Sequence, residues 1–259
     1  MWVPDESIES ARECLRYRYQ LVWERTAEKQ KVQALMKRQG QVFTETKKAW
    51  TRKHHAWLKT VSLPTESRLV LDMRLKRIVD LDESIGKIDK SLLEIVQGNA
   101  QYHRLYTSYR MMTGIGELGA LTWTLEGGDL NRFPHPANLM SYLGLIPRKH
   151  ASGGKDPALS ITKAGNAYLR YVTVCASRCY TDKRLAQREK ALENYPEPVA
   201  DLVKRCQDRL CARYQHLRQC KKNGNKAKVA IARELCGFVW ELCVRVLPNI
   251  DESELRIAA

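Results

Sequence analysis

A chain of 259 residues is long enough for one large hydrophobic core or two modest ones. Its 44 Lys and Arg against 29 Asp and Glu leave a formal net charge of +15, more than solubility requires, which points to a polyanion: nucleic acid first, an acidic membrane surface second. No run of about 18 apolar residues and no apolar N-terminal signal core are present, so neither a membrane span nor a secretory leader is expected, and the expectation is a cytoplasmic protein.

Residues Asp5 to Gln39 read as one long helix, with Asp5 as a plausible N-cap and Gly40 as its stop. Ile8, Leu15, Val22 and Met36 lie on multiples of seven, with Lys29 interrupting and Arg18 and Arg25 polluting the alternate stripe. A short helix is expected between Thr44 and Lys59, and His54-His55 read as part of a solvated basic turn. A second long helix spans Thr65 to Gln97. There Leu71, Ile78, Ile85 and Leu92 form one heptad stripe, and Leu81, Ile88 and Ile95 form another, a strong coiled-coil signal. The two helices fit either an antiparallel hairpin or a pairing with a second subunit.

From Ala100 a tyrosine-rich segment leads to Thr113-Gly114-Ile115-Gly116 and an apolar helix ending at Gly127-Gly128. Ala137 to Leu143 gives a short helix, Gly144 to Leu159 a basic Gly- and Pro-containing loop, and Asn166 opens the next helix, bearing Leu169, Val172 and Ala176. Tyr180 to Cys220 reads as two helices divided by Pro196 and Pro198, and Ala227 to Leu247 as a final amphipathic helix. The fold class is therefore all-α: a coiled-coil arm, 1–99, then a compact helical domain, 100–259, with a helix-hairpin-helix-like Gly-Ile-Gly turn. The eight cysteines, at 14, 175, 179, 206, 211, 220, 236 and 243, form no Cys-x-x-Cys and read as reduced core thiols rather than a metal site.

Three features carry chemistry. Gly114 and Gly116 free amide N–H groups at a helix start, which suits a phosphate or, equally, a plain helix-to-helix turn. Ser152 lies in a basic glycine loop with Arg148, Lys149, His150 and Lys155, whose cations would take up charge developing on an attacked phosphate. A turn former or a phosphate contact fits the same spacing. Lys163, Asn166 and Arg170, at the next helix start, suit a DNA phosphate or a solvated face.

The run Thr113-Gly-Ile-Gly, Arg132-Phe133, Tyr142-Leu143-Gly144-Leu145-Ile146-Pro147, Ser152-Gly153, Ile161-Thr162-Lys163-Ala164-Gly165-Asn166 and Leu169-Arg170 resembles, in order and spacing, the C-terminal transposase domain of the insertion sequence 110 family (the 116/110/902 group). The resemblance extends to Asn225–Leu235 and back through the arm to Trp2-Val3-Pro4. It implies a DNA recombinase with Ser152 as the nucleophile that links covalently to DNA, Ser160 being the next candidate. It also implies a guide RNA from the element, an N-terminal RuvC-like domain whose four acidic residues bind magnesium, and a bacterial or archaeal, nucleoid-associated location; a homo-oligomer through the arm is expected from the two apolar stripes of the second helix. Those four carboxylates have no counterpart in this sequence, so no metal or other cofactor is expected within the chain, and a truncated remnant, a misassigned start or half of a split gene, inactive alone, is the expectation. A non-catalytic nucleic-acid-binding regulator and a coiled-coil adaptor are the alternatives.

Overall fold

The computed structural model describes residues 6–46, 48–148, 160–181 and 192–250. It is all-α: among the described residues the only extended pairing is an isolated antiparallel bridge between Pro147 and Ile161. The chain divides into two compact units, Met1–Glu94 and Ile95–Ala259. No helix of the described residues is long and apolar enough to cross a membrane.

In the first unit α1 (Glu6–Arg38) starts with Glu6 and Glu9 and ends with Lys37 and Arg38, charges that complement the helix dipole at both ends. It stops in a Schellman turn. Gly40 takes φ +66°, its N–H donates to Lys37 O at 3.2 Å, and Gln41 N–H reaches back to Met36 O at 3.0 Å. The connection carries α2 (Arg52–Thr60) and leads to α3 (Thr65–Gln97). Helices α1 and α3 run antiparallel, because partners rise in number on one as they fall on the other. Arg18 Nε donates to Asp89 at 2.8 Å, Arg25 pairs with Asp82, and Arg74 Nη1 donates to Glu28 at 2.7 Å. The two arginines that break the apolar stripe of α1 are therefore its bridges to α3. The Lys31 hydrogen bond, opposed by burial and joined by Arg74, holds the Glu28 carboxyl below its usual range.

The heptad stripe of α3 is the buried one: Leu71, Ile78, Ile85 and Leu92 are buried, and Leu81 with them. Val32, Leu35 and Met36 of α1 meet Leu71 and Ile78 of α3 with Leu58 and Val61 closing the end. Burying side chains of this size contributes about 1.5–3 kcal/mol each.

His54 departs from the expected solvated turn. Trp50 takes φ +66°, rare for a bulky residue, and turns the chain so that His54 is buried beside the rings of Phe43, Trp50 and Trp57. Trp50 N–H donates to His54 Nδ1 at 3.2 Å, and Thr51 Oγ1 caps the helix by accepting from His54 N–H. Burial, then the neighbouring His55, pushes the imidazole pKa down. A lowered folded pKa means that this contribution to stability is present above the unfolded pKa and lost as pH falls through the folded one. We expect the wild-type chain to lose more melting temperature between pH 7 and 5 than His54→Asn, whose amide oxygen still accepts from Trp50 but does not titrate. Parallel curves for the two would refute that role for the imidazole.

In the second unit, α4 (Ala100–Met111), capped by Asn99, leads through the Gly-Ile-Gly turn to α5 (Glu117–Thr122) and a π-helical turn (Trp123–Gly127). A 3-10 turn (Leu130–Arg132), α6 (Pro136–Tyr142), α7 (Ala167–Ala176) and a further 3-10 turn (Ser177–Thr181) follow. Then come α8 (Glu197–Gln219) and α9 (Gly224–Glu241), with a π turn and a 3-10 turn carrying the chain to Asn249. Pro198 sits in the first turn of α8, where its missing N–H costs nothing. Helix α9 is the centre: Ile231, Leu235, Cys236 and Val239 are buried, and α6, α7 and α8 all pack on it. The eight cysteines are free thiols. Burial pushes Cys206 and Cys243 up to about 12, so both remain protonated and pack as small apolar groups.

Candidate functional site

Residues 142–148 and 160–166 lie side by side as a short stem under the basic loop. Arg148 N–H donates to Ser160 O at 3.0 Å, Thr162 N–H to Ile146 O at 2.9 Å, Lys163 N–H to Gly144 O at 3.0 Å, and Asn166 N–H to Tyr142 O at 3.1 Å. The two lines approach closely only because glycine stands on each. A Cβ on Gly144 (φ +65°) would lie 2.0 Å from Ala164 O, and one on Gly165 (φ +89°) would lie 2.0 Å from Tyr142 O. Lys163 between them is also left-handed, at φ +56°. Ser152, Lys149, His150 and Lys155 belong to the loop that this stem holds and lie outside the described residues.

The stem is locked from below. Asn166 Oδ1 caps α7 by accepting from Leu169 N–H at 2.9 Å, and Asn166 Nδ2 donates to Glu126 Oε2 at 2.7 Å. Glu126 is only 1% exposed, a buried carboxylate at the end of an apolar segment. Arg170 Nη1 donates to Leu143 O at 2.9 Å. Beside them Arg132 stacks against Phe133 and Tyr142, 4.6 and 4.9 Å from the ring centroids. It also donates to Gly127 O at 2.8 Å. Motif segments far apart in the sequence thus interlock at one place, each supplying a carbonyl, a ring or a cap to the next.

Four of the expected contact residues meet on this stem: Arg148, Lys163, Asn166 and Arg170. Their side chains differ in freedom. Arg148 and Lys163 are exposed cations, with no ion pair among the described residues, and Arg148 makes one long contact, Nη2 to Thr162 O at 3.4 Å. Asn166 and Arg170 spend hydrogen bonds on the stem itself. Glu126 and Arg132 are the residues that sequence reasoning passed over as site members. A carboxylate at the end of an otherwise apolar helix was the available signal for Glu126.

Gly114 and Gly116 lie elsewhere. Gly114, at φ +88°, packs so closely on the C-terminal end of α7 that a Cβ would lie 2.6 Å from Ala176 O. The stem meets the other end of α7, roughly 15 Å away at 1.5 Å per residue. Thr113 beside it accepts from Tyr180 Oη through its carbonyl and from Gln207 Nε2 through its hydroxyl, both at 2.7 Å. Gly116 caps α5 with open space around it. A cleft of about 290 Å³ opens at this turn, lined by Arg110, Thr113, Gly116, Tyr195 and Gln207 among others.

Among the described residues no group of three or more His, Cys, Asp or Glu side chains is placed to hold a metal ion.

Residues 109–191 match the model of the IS116/IS110/IS902 transposase family. The chain is 30% identical over 244 residues to an inferred transposase, y4qE, of Sinorhizobium fredii, an alignment covering 93% of this chain and 59% of that protein. It is 25% identical over 240 residues to the transposase for insertion sequence element IS1111A of Coxiella burnetii, covering 89% of this chain and 57% of that one. The chain spans less than two thirds of the length of either relative. The stem, its buried lock and the Gly-Ile-Gly turn all fall within the matched segment, so residues 109–191 carry a domain that matches the IS116/IS110/IS902 transposase family.

Proposed function

We propose that this chain acts on DNA in the transposition of an insertion sequence, with Ser152 as the nucleophile of strand cleavage and rejoining. The observation that supports it is the stem: a backbone ladder closed by two left-handed glycines and by the bond from Asn166 to the buried Glu126. Such a base presents a basic serine loop from a fixed support, as a site on a rigid scaffold requires. Arg148 and Lys163 at its edge, with Lys149 and Lys155 in the loop, supply cations for the phosphate under attack. In the reaction the Ser152 Oγ–P bond forms as one P–O bond to deoxyribose breaks. The serine proton is lost, and the departing sugar oxygen takes up a proton. A phosphodiester replaces a phosphodiester, so the strand is rejoined by the reverse attack without an energy source. Asn166 and Arg170 act through the stem, as positioning residues. An RNA of the element chooses the DNA sites. The test is covalent capture of DNA by the wild-type chain, with the element's RNA and the family's acidic domain supplied in trans, and its loss in Ser152→Ala.

The same reading includes self-association through the arm, supported by Leu69, Met73 and Val79, which lie exposed on α3. Light scattering is expected to give at least a dimer, and Leu69→Glu with Met73→Glu a smaller particle of unchanged helicity. An unchanged mass in the double variant would remove this face from the interface.

A further inference from the structure

The charge of the first unit is segregated. Residues 6–36 of α1 and 65–97 of α3 together carry twelve Lys and Arg against twelve Asp and Glu. Residues 37–63, between them, carry seven (37, 38, 47, 48, 52, 53 and 59) against one, Glu45. The helices spend their charges on each other, in the pairs Arg18–Asp89, Arg25–Asp82, Arg77–Glu24 and Arg74–Glu28. At the tip, Lys37, Arg38, Lys48, Arg52, Lys53 and Lys59 are all exposed, and none takes part in an ion pair among the described residues.

This tip is a built element. Arg68 from α3 donates to Leu58 O at 2.8 Å and also to Val61 O. Gln41 Nε2 donates to Ser62 O at 3.3 Å. The Schellman turn after α1 and the Thr51 cap of α2 fix the two helix ends. Trp50 and Trp57 are partly buried against the apolar cluster beneath α2, which leaves only part of each ring for stacking on unpaired bases. What remains outside is a set of cations that make no ion pair among the described residues, on a braced base. That surface suits phosphates and reads no sequence.

We infer that the tip of the arm, residues 37–63, is a second DNA contact, separate from the serine loop, that grips the phosphate backbone of duplex DNA. The inference rests on the reading of the chain as a DNA-acting protein, and it requires no chemistry at Ser152. Six exposed cations allow up to about six phosphate contacts, each adding roughly 0.9 to the slope of log affinity against log salt.

The test uses the full chain carrying Ser152→Ala, so that no covalent step enters, with a 30-base-pair DNA duplex of arbitrary sequence read by fluorescence anisotropy. Arg38→Glu, Arg52→Glu and Lys53→Glu together are expected to weaken binding about tenfold or more and to lower the salt slope by about 2–3. A control set on α3, Lys76→Glu, Lys87→Glu and Lys90→Glu, is expected to change neither by as much. Lysine acetylation of the Ser152→Ala chain, read by mass spectrometry with and without duplex, gives an independent measure that needs no charge reversal. Protection of Lys37, Lys48, Lys53 and Lys59 but not of Lys76 and Lys87 is the expected pattern. Equal acetylation of tip and control lysines, with or without DNA, would overturn the proposal, as would protection by a structured RNA but not by duplex DNA. Failure of Ser152 to capture DNA, with the tip still protected, would sink the catalytic reading and leave this one standing.

Discussion

Ser152→Ala is expected to abolish the covalent protein–DNA adduct while leaving DNA affinity within a few-fold of wild type. The two effects differ in scale because they remove different things. For binding, the hydroxyl is at most one hydrogen bond, about 0.5–1.5 kcal/mol. For cleavage it is the atom that makes the new P–O bond, and alanine has nothing to replace it. The assay is denaturing electrophoresis of labelled DNA with protein, the element's RNA and the family's acidic domain supplied in trans, since only covalent links survive the gel. Ser152→Cys is expected to retain a trace of adduct, because a thiolate is also nucleophilic. Arg148→Ala is expected to weaken binding and adduct formation together. An adduct undiminished in Ser152→Ala would move the nucleophile elsewhere, with Ser160, exposed at the edge of the stem, the first to be examined.

The second large effect concerns the support. Gly165→Ala places a Cβ 2.0 Å from Tyr142 O on a backbone at φ +89°. Contacts under 3 Å are not tolerated, and the obstacle is backbone that cannot rotate away. The residue must leave its conformation or the two lines must part. Parting them breaks the Asn166 N–H to Tyr142 O bond and loosens the Asn166 cap of α7. Backbone strain and overpacking together cost about 2–5 kcal/mol, a fall in melting temperature on the order of 10 °C. Gly224→Ala is the control, since that glycine opens α9 with nothing closer than 3.6 Å to a new Cβ. It is expected to melt within a degree or two of wild type. Equal melting of Gly165→Ala and Gly224→Ala would mean that the stem is not the tight ladder described.

The parts of this molecule that were plain in the sequence are those with a period. Leu71, Ile78, Ile85 and Leu92 repeat every seven residues, and they are the buried seam of α3. Arg18 and Arg25 read as flaws in the matching helix because their partners, Asp89 and Asp82, stand about 60–70 residues away. The register between the helices has to be known before such a pair means anything. His54 departs from its sequence reading for a local reason. One left-handed residue, Trp50, redirects the chain, and nothing in Trp-Thr-Arg-Lys-His-His announces a positive φ there.

At the candidate site the motif residues were visible, but the work each does was not. Asn166 before a helix is a normal N-cap, yet its second bond goes to Glu126, 40 residues earlier. The pairing of 146–148 with 160–162 is not legible in the sequence because it is too short for an alternating pattern and contains Pro147. Glu126 is polar, isolated in an apolar segment and buried, and only the folded chain shows what it faces.

The central claim is that the loop on this stem carries the atom that joins DNA. Its most direct test is to digest the wild-type adduct with nuclease and protease and map the remaining nucleotide by mass spectrometry. The account predicts a single nucleotide phosphate on Ser152, in the peptide between Lys149 and Lys155. A nucleotide on Ser160, on a tyrosine, or on any residue outside 149–159 would contradict it.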